Sequence, residues 1–248
     1  MEIPFRCDLG CLNRADGSAR LCIGGTDIMA SVTGPAPVPA RKESIDKATI
    51  EVSLHKKIGG VLDNAETEIE VLLKHTLENC ILTKLHPSTL ITVTVQLMNV
   101  EGPIFGVALN AVTLALLDAG VPLAYTPAAV TVASLAPSEG APAGMCCWPT
   151  KAQAEASPCV AQFVFSNVLP HAAGAPAPAP TTPGEEPANP PVEVVSCHLA
   201  GQLCPLESSA PQQAGAAALV QLSEMARESS LGVWRFIREA LANKTHSA

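Results

Sequence analysis

Aromatic side chains are scarce in this chain: five Phe, two Trp and one Tyr among 248 residues. Any core must therefore be assembled from Val, Leu, Ile and Ala. A 48% hydrophobic composition supplies enough of them for one large domain or two small ones. Charge is thin as well, at 15%, and the cations are unevenly placed. Lys151 alone lies between Lys84 and Arg227, so basic surface must come from the first third or from the last helix. A net charge of −8 argues against a free-standing nucleic-acid binder. The nine cysteines are odd in number and include no CxxC pair. They read as small core residues of an intracellular chain and not as a disulfide framework. A zinc site from Cys197, His198 and Cys204 is the sharper alternative, but it lacks a recognised ligand spacing. No metal and no cofactor is expected. The opening MEIPFRCDLG has no apolar h-region, so no secretory signal is expected. A glycine-rich phosphate loop, a His-x-x-x-His metal pair and a nucleophile elbow are also missing.

What the chain does have is organised around Glu101–Pro122, EGPIFGVALNAVTLALLDAGVP. From Phe105 to Leu117 this stretch carries no charge, and its polar side chains are Asn110 and Thr113. A helix drawn through it is apolar on every side, which predicts a buried helix between layers of sheet. The run is shorter than the roughly 18 apolar residues of a membrane span. Gly120 and Pro122 give the stop signal, and the helix opens near Gly102. Its N-terminus, with free N–H groups, is where an anion would bind. The residues there are Pro103, Ile104 and Phe105, without charge or hydroxyl.

Around this helix the remaining elements fall in order. Asp16-Gly17 and Gly24-Gly25 mark turns in an N-terminal meander whose strand over Ile28–Val32 ends at Gly34-Pro35. Ile50, Val52 and Leu54 alternate with polar residues as a half-buried strand. It runs into His55, Lys56 and Lys57, the densest basic spot in the chain, which reads as a solvated loop or as an RNA contact. Asp63 and Glu66 have capping-box spacing ahead of an amphipathic helix carrying Ile69, Leu72, Leu73, Leu77, Cys80 and Ile81, ending near Leu82. Ile91, Val93, Val95 and Leu97 alternate strictly with polar residues, the clearest strand of all. After the buried helix, strands are expected around Val130–Leu135, Met145–Trp148 and Val160–Val168, with a turn at Pro137–Gly140. Pro170–Pro191 then carries eight prolines and reads as a disordered insertion. Val192–Leu199 resumes as a strand, so the insertion acts as an overgrown hairpin loop, and residues 1–248 are expected to form a single domain. A long helix from about Pro211 to Asn243 follows, with a possible bend at Gly232. Trp234 and Phe236 read as packing residues there, and Arg235 and Arg238 as exposed ones. The order predicts an α+β fold, helices on mixed sheet.

Three stretches together resemble the RNase PH family: RADGSAR with GGTDIMASVTGP, KATIEVSLHKKIGG, and LNAVTLALLDAGVP. The resemblance covers nearly everything except the proline-rich insertion. It implies an RNase PH-like fold of the ribosomal protein S5 domain 2-like type, with mixed sheets, a central buried helix and a long C-terminal helix. Active members cut RNA from its 3′ end with inorganic phosphate. Counting back from Asp118, the family's phosphate-binding Arg falls on Phe105 and the neighbouring hydroxyl residue on Ile104. The two catalytic aspartates fall on Trp148 and near Ala154, with Glu155 the one acid close by. The resemblance therefore implies a non-catalytic member, a structural subunit of the RNA exosome core ring that supports 3′–5′ processing and degradation, rRNA maturation included. An active phosphate-dependent exoribonuclease is the alternative. Its implied partners are other RNase PH-like ring subunits and RNA in the channel, with no membrane. Its implied location is nucleus and nucleolus, and also cytoplasm. Arg41, Lys42, Lys56 and Lys57 are the candidate RNA contacts.

The insertion gives a first expected outcome. Replacing Ala172–Pro191 by a short Gly-Asn turn should leave the thermal midpoint nearly unchanged, because closing a longer flexible loop costs little. A midpoint many degrees lower would mean that the segment is packed.

Overall fold

The computed structural model describes residues 5–39, 41–56, 64–135, 144–167, 192–201 and 211–247. The proline-rich insertion, the Pro137–Gly140 turn, Asp63 of the capping box, Lys57 and Cys204 lie outside the described residues.

Two sheets enclose the central helix. The first has five strands: β1 (Phe5–Leu9), β2 (Gly17–Ile23), β3 (Thr26–Pro37), β4 (Thr49–Lys56) and β5 (Thr89–Asn99), in the order β1-β2-β3-β5-β4. All neighbours are antiparallel except β4 and β5, which run parallel. Parallel neighbours need a crossover, and α1 (Asn64–Cys80) supplies it, packed on β4. The second sheet has β6 (Pro127–Leu135), β7 (Gly144–Cys147), β8 (Cys159–Ser166) and β9 (Glu193–Gly201), all antiparallel, in the order β7-β6-β8-β9. Between the sheets lies α2 (Ile104–Ala119), touching β2 and β3 on one side and β6 on the other. The short α3 (Lys151–Ala156) follows β7, and α4 (Pro211–Ser247) covers the far face of β6. One hydrophobic cluster runs through both sheets and α2.

The buried-helix expectation is borne out. Every residue from Phe105 to Leu116 is buried. Small residues at Gly106, Ala108, Ala111 and Ala115 let strands approach closely. The two polar side chains are satisfied locally. The Thr113 hydroxyl donates to the Leu109 carbonyl at 2.8 Å. The Asn110 amide donates to the Ala129 carbonyl at 2.9 Å and accepts from the Ala129 N–H at 2.8 Å. β7 pairs with β6 only over Val132–Leu135. Asn110 thus stands in for a missing strand neighbour at Ala129. Gly120 ends the helix in the left-handed region, at φ 70°.

The Asp16-Gly17 turn also fits α2. A Cβ at Gly17 would sit 2.3 Å from the Ala115 carbonyl oxygen, so this approach requires glycine. Beside it the Asp118 carboxylate, nearly buried, accepts from the Ser18 N–H at 3.0 Å and pairs with Lys244 near the end of α4.

Several expectations need correction. β3 does not stop at Gly34-Pro35. After a register shift it pairs on with β5 at Ala36–Leu90 and Pro37–Thr89. Lys56 belongs to β4 and not to a loop, because the ladder with β5 continues through Lys56–Leu97. α1 stops at Cys80, where Ile81 leaves the helix to bridge Leu123. α3 had no counterpart in the sequence reading. α4 runs on past Asn243 to Ser247.

Asn110→Ala should lower stability by about 2–4 kcal/mol, since it leaves the Ala129 N–H and C=O buried and unpaired. Thr113→Val keeps the shape and removes one donor, the hydroxyl that also reaches the Pro127 carbonyl at 3.4 Å, and should cost less, about 1–2 kcal/mol. Urea unfolding of both variants checks the order; equal losses would mean that Asn110 acts through volume alone.

Candidate functional site

The start of α2 brings a helix N-terminus against the core. Its cap residue, Pro103, makes no side-chain capping bond. Phe105 points into the core and is 2% exposed, while Ile104 is half-buried against it. The first turn holds no acidic residue, and no cation stands within it.

Trp148 closes what remains. It follows β7 directly and holds a left-handed backbone, φ 56°, which few non-glycine residues adopt. Its N–H donates to the Thr131 carbonyl of β6 at 2.8 Å, fixing that turn. Its ring lies on Gly106, so that a Cβ at Gly106 would sit 3.2 Å from the ring and 2.9 Å from the Thr131 hydroxyl oxygen. That hydroxyl is buried and has no hydrogen-bond partner. Phe5 meets the Trp148 ring edge-on at 5.8 Å, and Phe236 of α4 lies 5.3 Å beyond Phe5. With Phe105, four of the eight aromatic residues in the chain are therefore gathered around this helix start.

The flanking charges do not favour an anion. The Glu101 N–H donates to the Thr26 hydroxyl at 3.2 Å, and the Glu101 carboxylate lies over Gly25, where a Cβ would meet Oε2 at 1.8 Å. The carboxylate of Glu101, three residues ahead of α2 in the chain, thus stands over Gly25. Ala154 sits half-buried in α3, and Glu155 is exposed. Thr150 and Gln153 form a reciprocal capping box at the start of α3. α3 also brings Lys151 to this segment. The Lys151 N–H donates to the Glu101 carbonyl at 2.6 Å, which ties the one mid-chain cation to the segment before α2. The sequence signal for it was the Thr150-x-x-Gln153 cap itself. Burial pushes the Cys7 and Cys80 thiols up to about 12, which leaves neither a ready nucleophile. Among the described residues, no group of three or more His, Cys, Asp or Glu could hold a metal ion.

Among the described residues, the candidate RNA contacts Lys42 and Lys56 lie at opposite ends of β4. Arg41 is exposed beside Lys42, whose ammonium pairs with Glu51 at the start of β4. Lys56 lies at the other end of that strand, roughly 20 Å away along β4, and pairs with Glu66 of α1 at 3.0 Å. Each described lysine of the set is thus matched to an acid.

Residues 4–122 match the 3′ exoribonuclease family, domain 1 (RNase PH). The crystal structure of rice (Oryza sativa) Rrp46 superposes on this fold with a TM-score of 0.70 and 26% identity, over 95% of this chain and 93% of that one. Over residues 4–122 the chain is similar to the RNase PH family, and its whole fold is similar to that of rice Rrp46. Among curated relatives, it is 39% identical over 127 residues to the exosome complex exonuclease RRP46 homolog of Oryza sativa subsp. japonica, covering 51% of this chain and 53% of that protein. It is 37% identical over 123 residues to the exosome complex component rrp46 of Schizosaccharomyces pombe, covering 49% and 54%. The chain spans about half the length of the curated relatives it matches. The RNase PH-like fold, mixed sheets with a buried helix and a long C-terminal helix, matches the expected one. No helix among the described residues is long and apolar enough to cross a membrane.

Trp148 gives the site its own test. Trp148→Ala removes the ring between Phe5 and Gly106 and should cost about 2–3 kcal/mol, less than a fully buried Trp. Trp148→Gly should cost no more than Trp148→Ala, because glycine tolerates the left-handed backbone. If the glycine variant unfolds well below the alanine variant, the backbone at this position carries no strain.

Proposed function

We propose that this chain is a non-catalytic, structural subunit of an exosome core ring, paired with other RNase PH-like subunits and bordering the path of RNA to an active subunit. The observation that carries the reading is the closed start of α2. Trp148 and Phe105 fill the place of an anion. A helix N-terminus offers about half a unit charge, too little to hold a phosphate without Arg or Lys beside it. The relatives named as exosome components support the ring assignment. A nuclear, nucleolar and cytoplasmic location follows from the same reading, as does RNA contact through Arg41, Lys42, Lys56 and Lys57. The second reading, an active phosphate-dependent 3′–5′ exoribonuclease, has in its favour the word exonuclease in the names of two plant relatives.

One assay separates them. Purified protein, given inorganic phosphate, magnesium and a single-stranded RNA, should release no nucleoside diphosphates. Phosphate-dependent release that is lost in Glu155→Gln would establish the enzyme instead. Co-expression with a second RNase PH-like exosome subunit should yield a soluble one-to-one complex by light scattering.

A further inference from the structure

Ile45 is the most exposed large apolar side chain among the described residues, at 83%. It lies in the connection between β3 and β4, within the run Arg41-Lys42-Glu43-Ser44-Ile45. An arginine three residues before a serine, with an apolar residue directly after it, is the pattern that arginine-directed Ser/Thr protein kinases read. An acidic pocket takes the guanidinium and an apolar pocket takes the side chain that follows the serine. Of the seven arginines in the chain, two stand three residues before a Ser or Thr: Arg41 before Ser44 and Arg227 before Ser230. Both serines are followed by an apolar residue, Ile45 and Leu231.

The structure separates the two matches. Ser230 lies within α4, is fully buried, and donates its hydroxyl to the Arg227 carbonyl at 2.7 Å. A kinase takes its substrate as an extended chain, which this helix forbids. Ser44 lies outside every helix and strand, after β3 ends at Pro37 and before β4 begins at Thr49. Its neighbours Arg41, Lys42, Glu43, Ile45, Asp46 and Lys47 are all exposed. Few bonds hold the run. The Lys42 N–H donates to the Pro39 carbonyl at 2.9 Å, the Thr49 hydroxyl to the Lys42 carbonyl at 2.9 Å, and the Ser88 N–H to the Ser44 carbonyl at 3.2 Å. Ser44 itself is half-buried, so reaching its hydroxyl takes a local opening, which costs little in so lightly bonded a segment.

We propose that Ser44 is a phosphorylation site for an arginine-directed Ser/Thr kinase. In the transfer, the Ser44 Oγ bonds to the γ-phosphorus of ATP, the bond from that phosphorus to the β–γ bridging oxygen breaks, and ADP leaves. The hydroxyl proton passes to the catalytic aspartate of the kinase. The phosphate adds roughly 1.5–2 negative charges at neutral pH. Over residues 41–47 three cations stand beside two carboxylates, so the run turns from positive to negative. The phosphate also competes with Glu51 for Lys42. The inference goes beyond the ring reading and does not rest on it, since the recognised run is local.

Mass spectrometry of the purified full chain, incubated with magnesium ATP and the catalytic subunit of cyclic-AMP-dependent protein kinase, tests it. One phosphate should appear, on Ser44, and Ser44→Ala should lose it. Arg41→Ala should react about tenfold more slowly, the worth of one charge-assisted contact. Ile45→Asp should also be slower, which a serine that is merely accessible would not require. Both variants change exposed residues and should keep the circular dichroism and thermal midpoint of the wild type. No phosphate on Ser44, phosphate on Ser230 at a comparable rate, or an Arg41→Ala variant that reacts as fast as wild type overturns the proposal. The ring reading is tested separately, by the RNA assay.

Discussion

A helix with no polar face cannot rest on a single sheet. α2 is buried on every side from Phe105 to Leu116, so both its faces need cover, and the two-sheet arrangement follows. The requirement passes outward. β6, which covers the far side of α2, is itself buried on both faces. It therefore needs α4 on its other side, and Leu222, Ala226, Val233 and Ile237 supply the apolar stripe. Hydrophobic burial is non-directional, so it does not by itself fix how α2 and β6 are aligned. Asn110 does. A primary amide in this interior must land where both a donor and an acceptor wait, and the free backbone of Ala129 is such a place.

The C-terminal end of α2 poses the opposite electrostatic problem. A carboxylate at Asp118 stands near the negative end of the helix dipole, which is unfavourable. Two contacts offset this, the Ser18 N–H and the Lys244 ammonium. Their consequence is topological. One side chain draws the β2 turn, the end of α2 and the last turns of α4 together, three segments far apart in sequence. The Asp16-Gly17-Ser18-Ala19 stretch is thus more than a hairpin turn. Asp16 accepts from the Gly34 N–H at 2.7 Å, Gly17 admits the backbone of α2, and Ser18 presents its N–H to Asp118.

Periodicity made the regular elements legible. The alternation over Ile91–Leu97 and the all-apolar run of α2 appear in the fold as expected, because burial on one or both faces writes itself into spacing. What escaped has a common cause: it depends on neighbours that are distant in sequence. β4 keeps Lys56 because β5 extends that far, and β3 passes Gly34 because β5 is there to receive it. α3 is six residues long, too short for a hydrophobic period. At the candidate site, the apolar identities of Ile104, Phe105, Trp148 and Ala154 were plain in the sequence. That the Trp148 ring turns back onto Gly106 was not, since a positive φ at tryptophan has no sequence signal. Lys151 was visible as a residue, but its attachment to Glu101 needed α3.

At the closed helix start, packing occupies the space that an anion would need. To admit a phosphate, Trp148 would have to leave Gly106 and part from Phe5. Taking an ion out of water costs several kcal/mol even after the protein relaxes. The half charge of a helix N-terminus does not recover that. The ring meanwhile joins β7 through Phe5 to α4, in a chain that has few other aromatic residues with which to do so. The unpartnered Thr131 hydroxyl fits this account. It is a polar group left behind a hydrophobic seal, at a cost of about 1–3 kcal/mol. Stability at this position and anion binding at this position therefore draw on the same space, and the structure gives that space to the indole.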